Sequence, residues 1–99
     1  MVFTIAAARS PFQWNEANRR HVREADVEPY EAEEAVLDLR RIGASAYAVE
    51  SERRWALLGA TEEGRVLFVV FTRREGRIRI ITARDAELAE KRRYRGRGK

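Results

Sequence analysis

The spacing of apolar positions changes period once along this chain, at Gly43. Before that point it is helical. Asn15 is a good helix N-cap, because its side-chain carbonyl can accept a free backbone N–H, and Glu16 behind it suits the positive end of the helix dipole. Trp14, Asn18, His21, Val22 and Ala25 then form a narrow, partly polar inner stripe, which predicts a helix over 16–25. Val27-Glu28-Pro29 restarts the chain with proline at a first helical position. Ala32, Ala35, Val36, Leu39 and Ile42 recur at helical spacing and predict a second helix over 29–41, with Glu31, Glu33 and Glu34 in its first turns. Arg40 and Arg41 fall in the expected last turn, and Gly43 is the expected terminator.

After Gly43 the pattern alternates or runs solidly apolar. Strands are predicted over Ser45–Glu50, Arg54–Ala60, Arg65–Arg73 and Arg77–Ala83. Thr61-Glu62-Glu63-Gly64 and Arg74-Glu75-Gly76 end in glycines suited to short hairpin loops, so the strands are expected to be consecutive and antiparallel. Val66 to Phe71 is apolar on both faces, which makes its strand central, with helices expected over one side. Asp85 is placed to cap a last helix over 86–94 that ends before Gly96, and Val2–Ala7 reads as a short strand. The resulting class is α+β: two N-terminal helices, a four-stranded antiparallel meander and a C-terminal helix. One domain is expected over 1–94, followed by a disordered basic tail at 95–99.

The 99 residues hold 20 Lys and Arg against 16 Asp and Glu, a formal charge of +4, and no cysteine. That length suits a single core. Without cysteine there is no disulfide framework, no thiolate nucleophile and no Cys-based zinc or iron–sulfur site, and cytoplasmic folding on packing alone is expected. No uncharged run exceeds the eight residues of Met1–Ala8, which is shorter than a membrane span and lacks the leading positive charge of a secretory signal. Neither membrane insertion nor export is therefore expected.

Charge is unevenly placed. Residues 91–99 carry six basic side chains and no acid, 24–38 carry seven acids and no base, and 65–84 carry six arginines and one acid. An anionic partner is expected on the second half, and a phosphate polymer is the commonest anion that rewards many arginines. Ordinary solvated faces of a helix and a sheet account for the same segregation, and composition does not choose between them.

No cofactor or metal is expected: His21 is the only histidine, the acids cluster on a helix face, and no glycine-rich phosphate loop is present. Titration near neutrality makes His21 the best acid–base candidate, although a lone histidine is more often a packed or surface residue. Arg77 and Arg79 alternate with Ile78 and Ile80, so both guanidinium groups belong on the face opposite those isoleucines, and Arg84 emerges at the strand end. The three would make an anion-binding cluster able to stabilise the five-coordinate phosphorus of RNA cleavage. The same spacing also suits a solvated face paired with acids on neighbouring strands. Trp14, Trp55, Tyr47 and Tyr94 are candidates for base stacking. The tryptophans lie beside apolar runs, as core residues do, whereas Tyr94 stands in the basic stretch Lys91-Arg92-Arg93-Tyr94-Arg95.

The pattern as a whole resembles the BrnT family of bacterial toxin ribonucleases. Phe12-Gln13-Trp14-Asn15-Glu16-Ala17-Asn18, His21 and Val27-Glu28-Pro29-Tyr30-Glu31-Ala32-Glu33-Glu34 match its opening. Glu52-Arg53-Arg54-Trp55-Ala56-Leu57-Leu58-Gly59, Gly64 to Thr72, Arg77-Ile78-Arg79-Ile80-Ile81-Thr82-Ala83-Arg84 and Glu90-Lys91-Arg92-Arg93-Tyr94 follow its pattern in order. The resemblance implies a RelE-like fold, metal-independent RNA cleavage by attack of the 2′-hydroxyl on the adjacent phosphate, and inhibition by a cognate BrnA-like, DNA-binding antitoxin. It also implies that Arg79 and Arg84 hold the phosphate, that His21 moves protons, and that Arg93 and Tyr94 flank the RNA path; Arg77, from the arginine face itself, is a further RNA-binding candidate. One departure stands out. Where the family usually carries a basic residue, His, Gly and Val after the first helix, this chain has Glu24, Ala25, Asp26 and Val27. The expected function is therefore a type II toxin endoribonuclease acting on RNA. The alternative is a catalytically inactive BrnT-like module that binds RNA or antitoxin. A homo-oligomer is compatible with the sequence.

Overall fold

The computed structural model describes residues 10–96, without the side chains of Ala46 and Tyr47. The strand expected over Val2–Ala7, the stacking role considered for Tyr47 and most of the expected tail lie outside the described residues. The elements run α1 (Glu16–Glu24), α2 (Pro29–Leu37), β1 (Ile42–Val49), β2 (Glu52–Ala60), β3 (Val66–Arg74), β4 (Arg77–Asp85) and α3 (Leu88–Arg95). The four strands form an antiparallel meander in the order β1-β2-β3-β4, as the alternation predicts.

Helix α1 opens with a reciprocal capping box. The Asn15 side chain accepts from the Asn18 N–H at 2.9 Å, and the Asn18 side chain accepts from the Asn15 N–H at 2.7 Å. It closes with paired bonds from Asp26 N–H to Arg23 C=O (2.9 Å) and from Val27 N–H to Val22 C=O (3.1 Å). That is a Schellman closure, and it places Asp26 at φ 60°, a left-handed position that favours glycine.

Helix α2 stops a turn earlier than its apolar spacing predicts. Asp38 leaves the helical region, at φ −58° and ψ 122°, because its carboxylate is claimed from elsewhere. It accepts from the Ala60 N–H of β2 at 2.8 Å and from the Tyr94 hydroxyl of α3. Arg40 and Arg41 consequently lie in a turn, Leu39 is 94% exposed rather than on an inner face, and Ile42 and Gly43 belong to β1. Arg95, expected in the tail, completes α3.

The sheet is covered on both faces, not one. Leu57, Leu67, Val69, Ile80 and Ala83 pack with Val22, Ala32, Ala35 and Val36 beneath α1 and α2. Leu58, Val66 and Ala86 pack with Tyr94 beneath α3. Consecutive residues of β2 and β3 thus enter opposite cores, which is why the Val66–Phe71 run is apolar throughout. Gly59 is where α2 comes closest: a Cβ there would meet the Ala35 carbonyl oxygen at 2.1 Å. Beyond β4, Pro11 to Gln13 borders the sheet, with Ile78 N–H donating to Pro11 C=O (2.7 Å) and Gln13 N–H donating to Ile78 C=O (2.8 Å).

Candidate functional site

The position of α1 against β4 rests on one buried amide. Besides capping, Asn18 donates from Nδ2 to the Ile80 carbonyl at 3.1 Å and to the Gln13 carbonyl at 3.2 Å. With α1 held there, Ala17, Asn18 and His21 wall a depression of about 320 Å³ whose other lining residues are Arg79 and Ile81 of β4 and Arg54 of β2. Trp55 lies opposite Phe71, which sets Arg54 beside Thr72, and Thr72 is the partner of Arg79 across the next ladder. Two guanidinium groups and an imidazole therefore share one hollow that no carboxylate lines. Such a hollow suits an anion of phosphate size.

The three cations differ in how firmly they are engaged. The Arg79 side chain is half-buried and makes no hydrogen bond or ion pair among the described residues, although its backbone lies in the β3–β4 ladder. Arg54 donates from Nε to Glu52 at 3.2 Å, and this bond, against the opposing cost of partial burial, holds the Glu52 carboxyl below its usual range. His21 is an exposed rim residue, with Nδ1 3.6 Å from a carboxylate oxygen of Glu24.

The remaining expected site residues are anchored elsewhere. A bulge in β4 pairs Val70 with Thr82 and Phe71 with Ile80, leaving Ile81 as the extra residue. That extra residue turns Arg84 onto the face of Arg77 and Arg79, opposite Phe68, whereas unbroken alternation would put it with Ile80. Sharing a face does not bring the arginines together. Phe68 and Thr72 lie four residues apart, about 13 Å along β3. Arg84 stacks over the Phe68 ring at 4.3 Å and grips Glu90 with two bonds of 2.8 and 3.0 Å, which holds the Glu90 carboxyl below its ordinary range. Arg77 donates to the carbonyls of Ser10 and Phe12, and Arg93 to that of Gly43 at 2.9 Å. Tyr94 is buried in the α3 core with its hydroxyl on Asp38, so its ring is closed to stacking.

Arg54 is the site residue that sequence reasoning missed. It lies two strands away from Arg79, and only the register of β2 on β3 brings it near. A second hollow of about 570 Å³ is lined by Glu16, Arg19, Arg20 and Arg23 and extends the basic surface along α1. Among the described residues no group of three or more His, Asp or Glu side chains is arranged to hold a metal ion, and no helix is long and apolar enough to cross a membrane.

The chain is an α+β domain with an arginine-bearing hollow, lined by no carboxylate, between its first helix and its last strand. The family model described as ribonuclease toxin, BrnT, of type II toxin-antitoxin system matches residues 14–90, and the chain belongs to that family. Membership implies an RNA substrate and an antitoxin partner. No curated protein matches the chain.

Proposed function

We propose that the chain is a cytoplasmic endoribonuclease that cuts RNA without a metal ion, the 2′-hydroxyl attacking the adjacent phosphate, and that a BrnA-like antitoxin silences it. The observation that carries this reading is Arg79: a half-buried guanidinium with no engagement among the described residues, in the same hollow as the only histidine. Arg79 grips the non-bridging phosphate oxygens, and Arg54 adds a second positive charge as the phosphorus becomes five-coordinate. The 2′-hydroxyl gives up its proton, its oxygen bonds to phosphorus, and the bond to the 5′-oxygen breaks. The products are a cyclic 2′,3′-phosphate and a 5′-hydroxyl that takes up a proton. His21 stands at the rim where either proton can be moved. Arg84 joins the site only by exchanging Glu90 for phosphate, and Arg77 and Arg93 flank the RNA path from their backbone anchors.

A second reading, an inactive module that binds RNA or antitoxin, is favoured by two features. Ala25 stands where the family pattern has a histidine, and Glu24 sits beside His21. Incubating the purified chain with RNA in EDTA separates the two. Cutting by the parent chain, reduced about 10²–10³-fold in Arg79→Ala and clearly reduced in His21→Ala, supports the nuclease. No cutting, with RNA binding that weakens steeply as salt rises, supports the module.

A further inference from the structure

We infer that the outer edge of β1 is a homotypic interface, through which two copies of this chain join their sheets into one of eight strands. The two sheet edges are treated very differently. The β4 edge is bordered by the Pro11–Gln13 segment and tied to α1 through Asn18. The β1 edge is last in the sheet order and pairs with no further strand among the described residues, although Arg93 of α3 donates to the Gly43 carbonyl near its start. Over its eight residues, Ile42–Val49, β1 carries no charge and no proline, two of the usual devices that keep an edge from pairing; a third, a bulge, interrupts it between Gly43 and Ser45, which leaves Ser45–Val49 as the regular edge. Immediately before it stands Leu39, 94% exposed in the turn that leads into the strand.

A second copy is the occupant because the charges flanking this edge complement themselves. Arg40 and Arg41 precede the strand and Glu50 follows it in the β1–β2 turn. A twofold-related copy runs antiparallel, so its Glu50 end falls beside Arg40 and Arg41, and the same contact repeats at the other end. Between these charged ends the ladder is uncharged, and Leu39 of each copy lies over the turn of the other. Five residues of regular edge, Ser45–Val49, and one leucine make a small interface, so the dimer is expected to depend on concentration. It stands or falls independently of the ribonuclease reading.

Sedimentation velocity across micromolar concentrations, with the full chain, tests it. The parent chain should pass from monomer to dimer. Arg41→Glu and Glu50→Arg should each raise the dimer Kd about tenfold or more, because like charges then meet at both ends. An equimolar mixture of those two variants should associate more tightly than either variant alone, since position 41 again meets a charge of opposite sign at position 50 at both ends of the mixed pair. Val49 and Glu52 close the hairpin, so the Ala48 N–H faces away from β2, and Ala48→Pro should abolish the dimer while the circular dichroism spectrum is retained. A parent chain that stays monomeric throughout overturns the proposal. So does a dimer that survives Ala48→Pro, a mixture that associates no better than either variant alone, or β1 amides that gain exchange protection only on adding a different protein.

Discussion

Replacing Gly59 with alanine is the sharpest test of how α2 sits on the sheet. The added Cβ would lie 2.1 Å from the Ala35 carbonyl oxygen, 2.8 Å from its carbonyl carbon and 3.2 Å from its Cα. All three atoms are helix backbone, so no rotamer change relieves the overlap, and α2 must withdraw by about 1 Å to restore ordinary contact. Withdrawal loosens Ala32, Ala35 and Val36, which α2 buries against the sheet. Overpacking of this kind is expected to cost about 3 kcal/mol and to lower Tm by roughly 12–24 °C for a domain of this size. Gly43→Ala is the internal control. Nothing lies within 4 Å of its added Cβ, and the change should stay within about 0.5 kcal/mol. Urea melts followed by circular dichroism read both variants, with equal slopes showing that the midpoint reports stability. Equal midpoints for the two variants would refute the close seating of α2 on β2.

Other perturbations follow from the same geometry. Asp26→Gly should raise stability by about 1 kcal/mol in the same melts, because glycine occupies the left-handed closing position of α1 without strain. Asn18→Ala should cost about 2–3 kcal/mol, since it removes half of the capping box and leaves the buried Ile80 carbonyl without its donor; a loss below about 0.5 kcal/mol would mean that the amide does not position α1. Bonds from Arg84 and Arg65 hold the carboxyls of Glu90 and Asp85 below their ordinary ranges. A depressed folded value means the contribution is present above the unfolded value and lost as pH falls through the folded one, so urea midpoints should decline between about pH 5 and pH 3. Glu90→Gln should lose about 0.5–1 kcal/mol at neutral pH and show a shallower decline, a modest figure because the Arg84 side chain is 39% exposed.

The strands and their order were legible because each run has its own period and two of the three loops between them end in a glycine, Gly64 and Gly76; the β1–β2 turn, with Glu50 and Ser51 at positive φ, has none. The start of α1 was legible for a local reason too, since Asn15 and Asn18 satisfy each other within one turn. What escaped the sequence depends on distant partners. Leu39 and Ile42 continue the helical spacing of α2, yet Asp38 ends the helix for the sake of Ala60 and Tyr94, 22 and 56 residues further on. The bulge at Ile81 has no local signature, and it decides the face on which Arg84 emerges. Arg84 itself looked free beside Arg79 because the grip of Glu90 crosses the join between β4 and α3. Within the candidate site, His21 and Arg79 were identified from residue type and alternation. Arg54 needed the register of two ladders before it could be seen.

Asp38 has a consequence for how the molecule comes apart. One carboxylate terminates a helix, caps a strand amide and receives a hydroxyl from the last helix, so three pieces of the chain share a single clasp. Undocking the last helix and unwinding the end of α2 are then one event rather than two, and a nick in the chain near Tyr94 would be felt some fifty residues upstream.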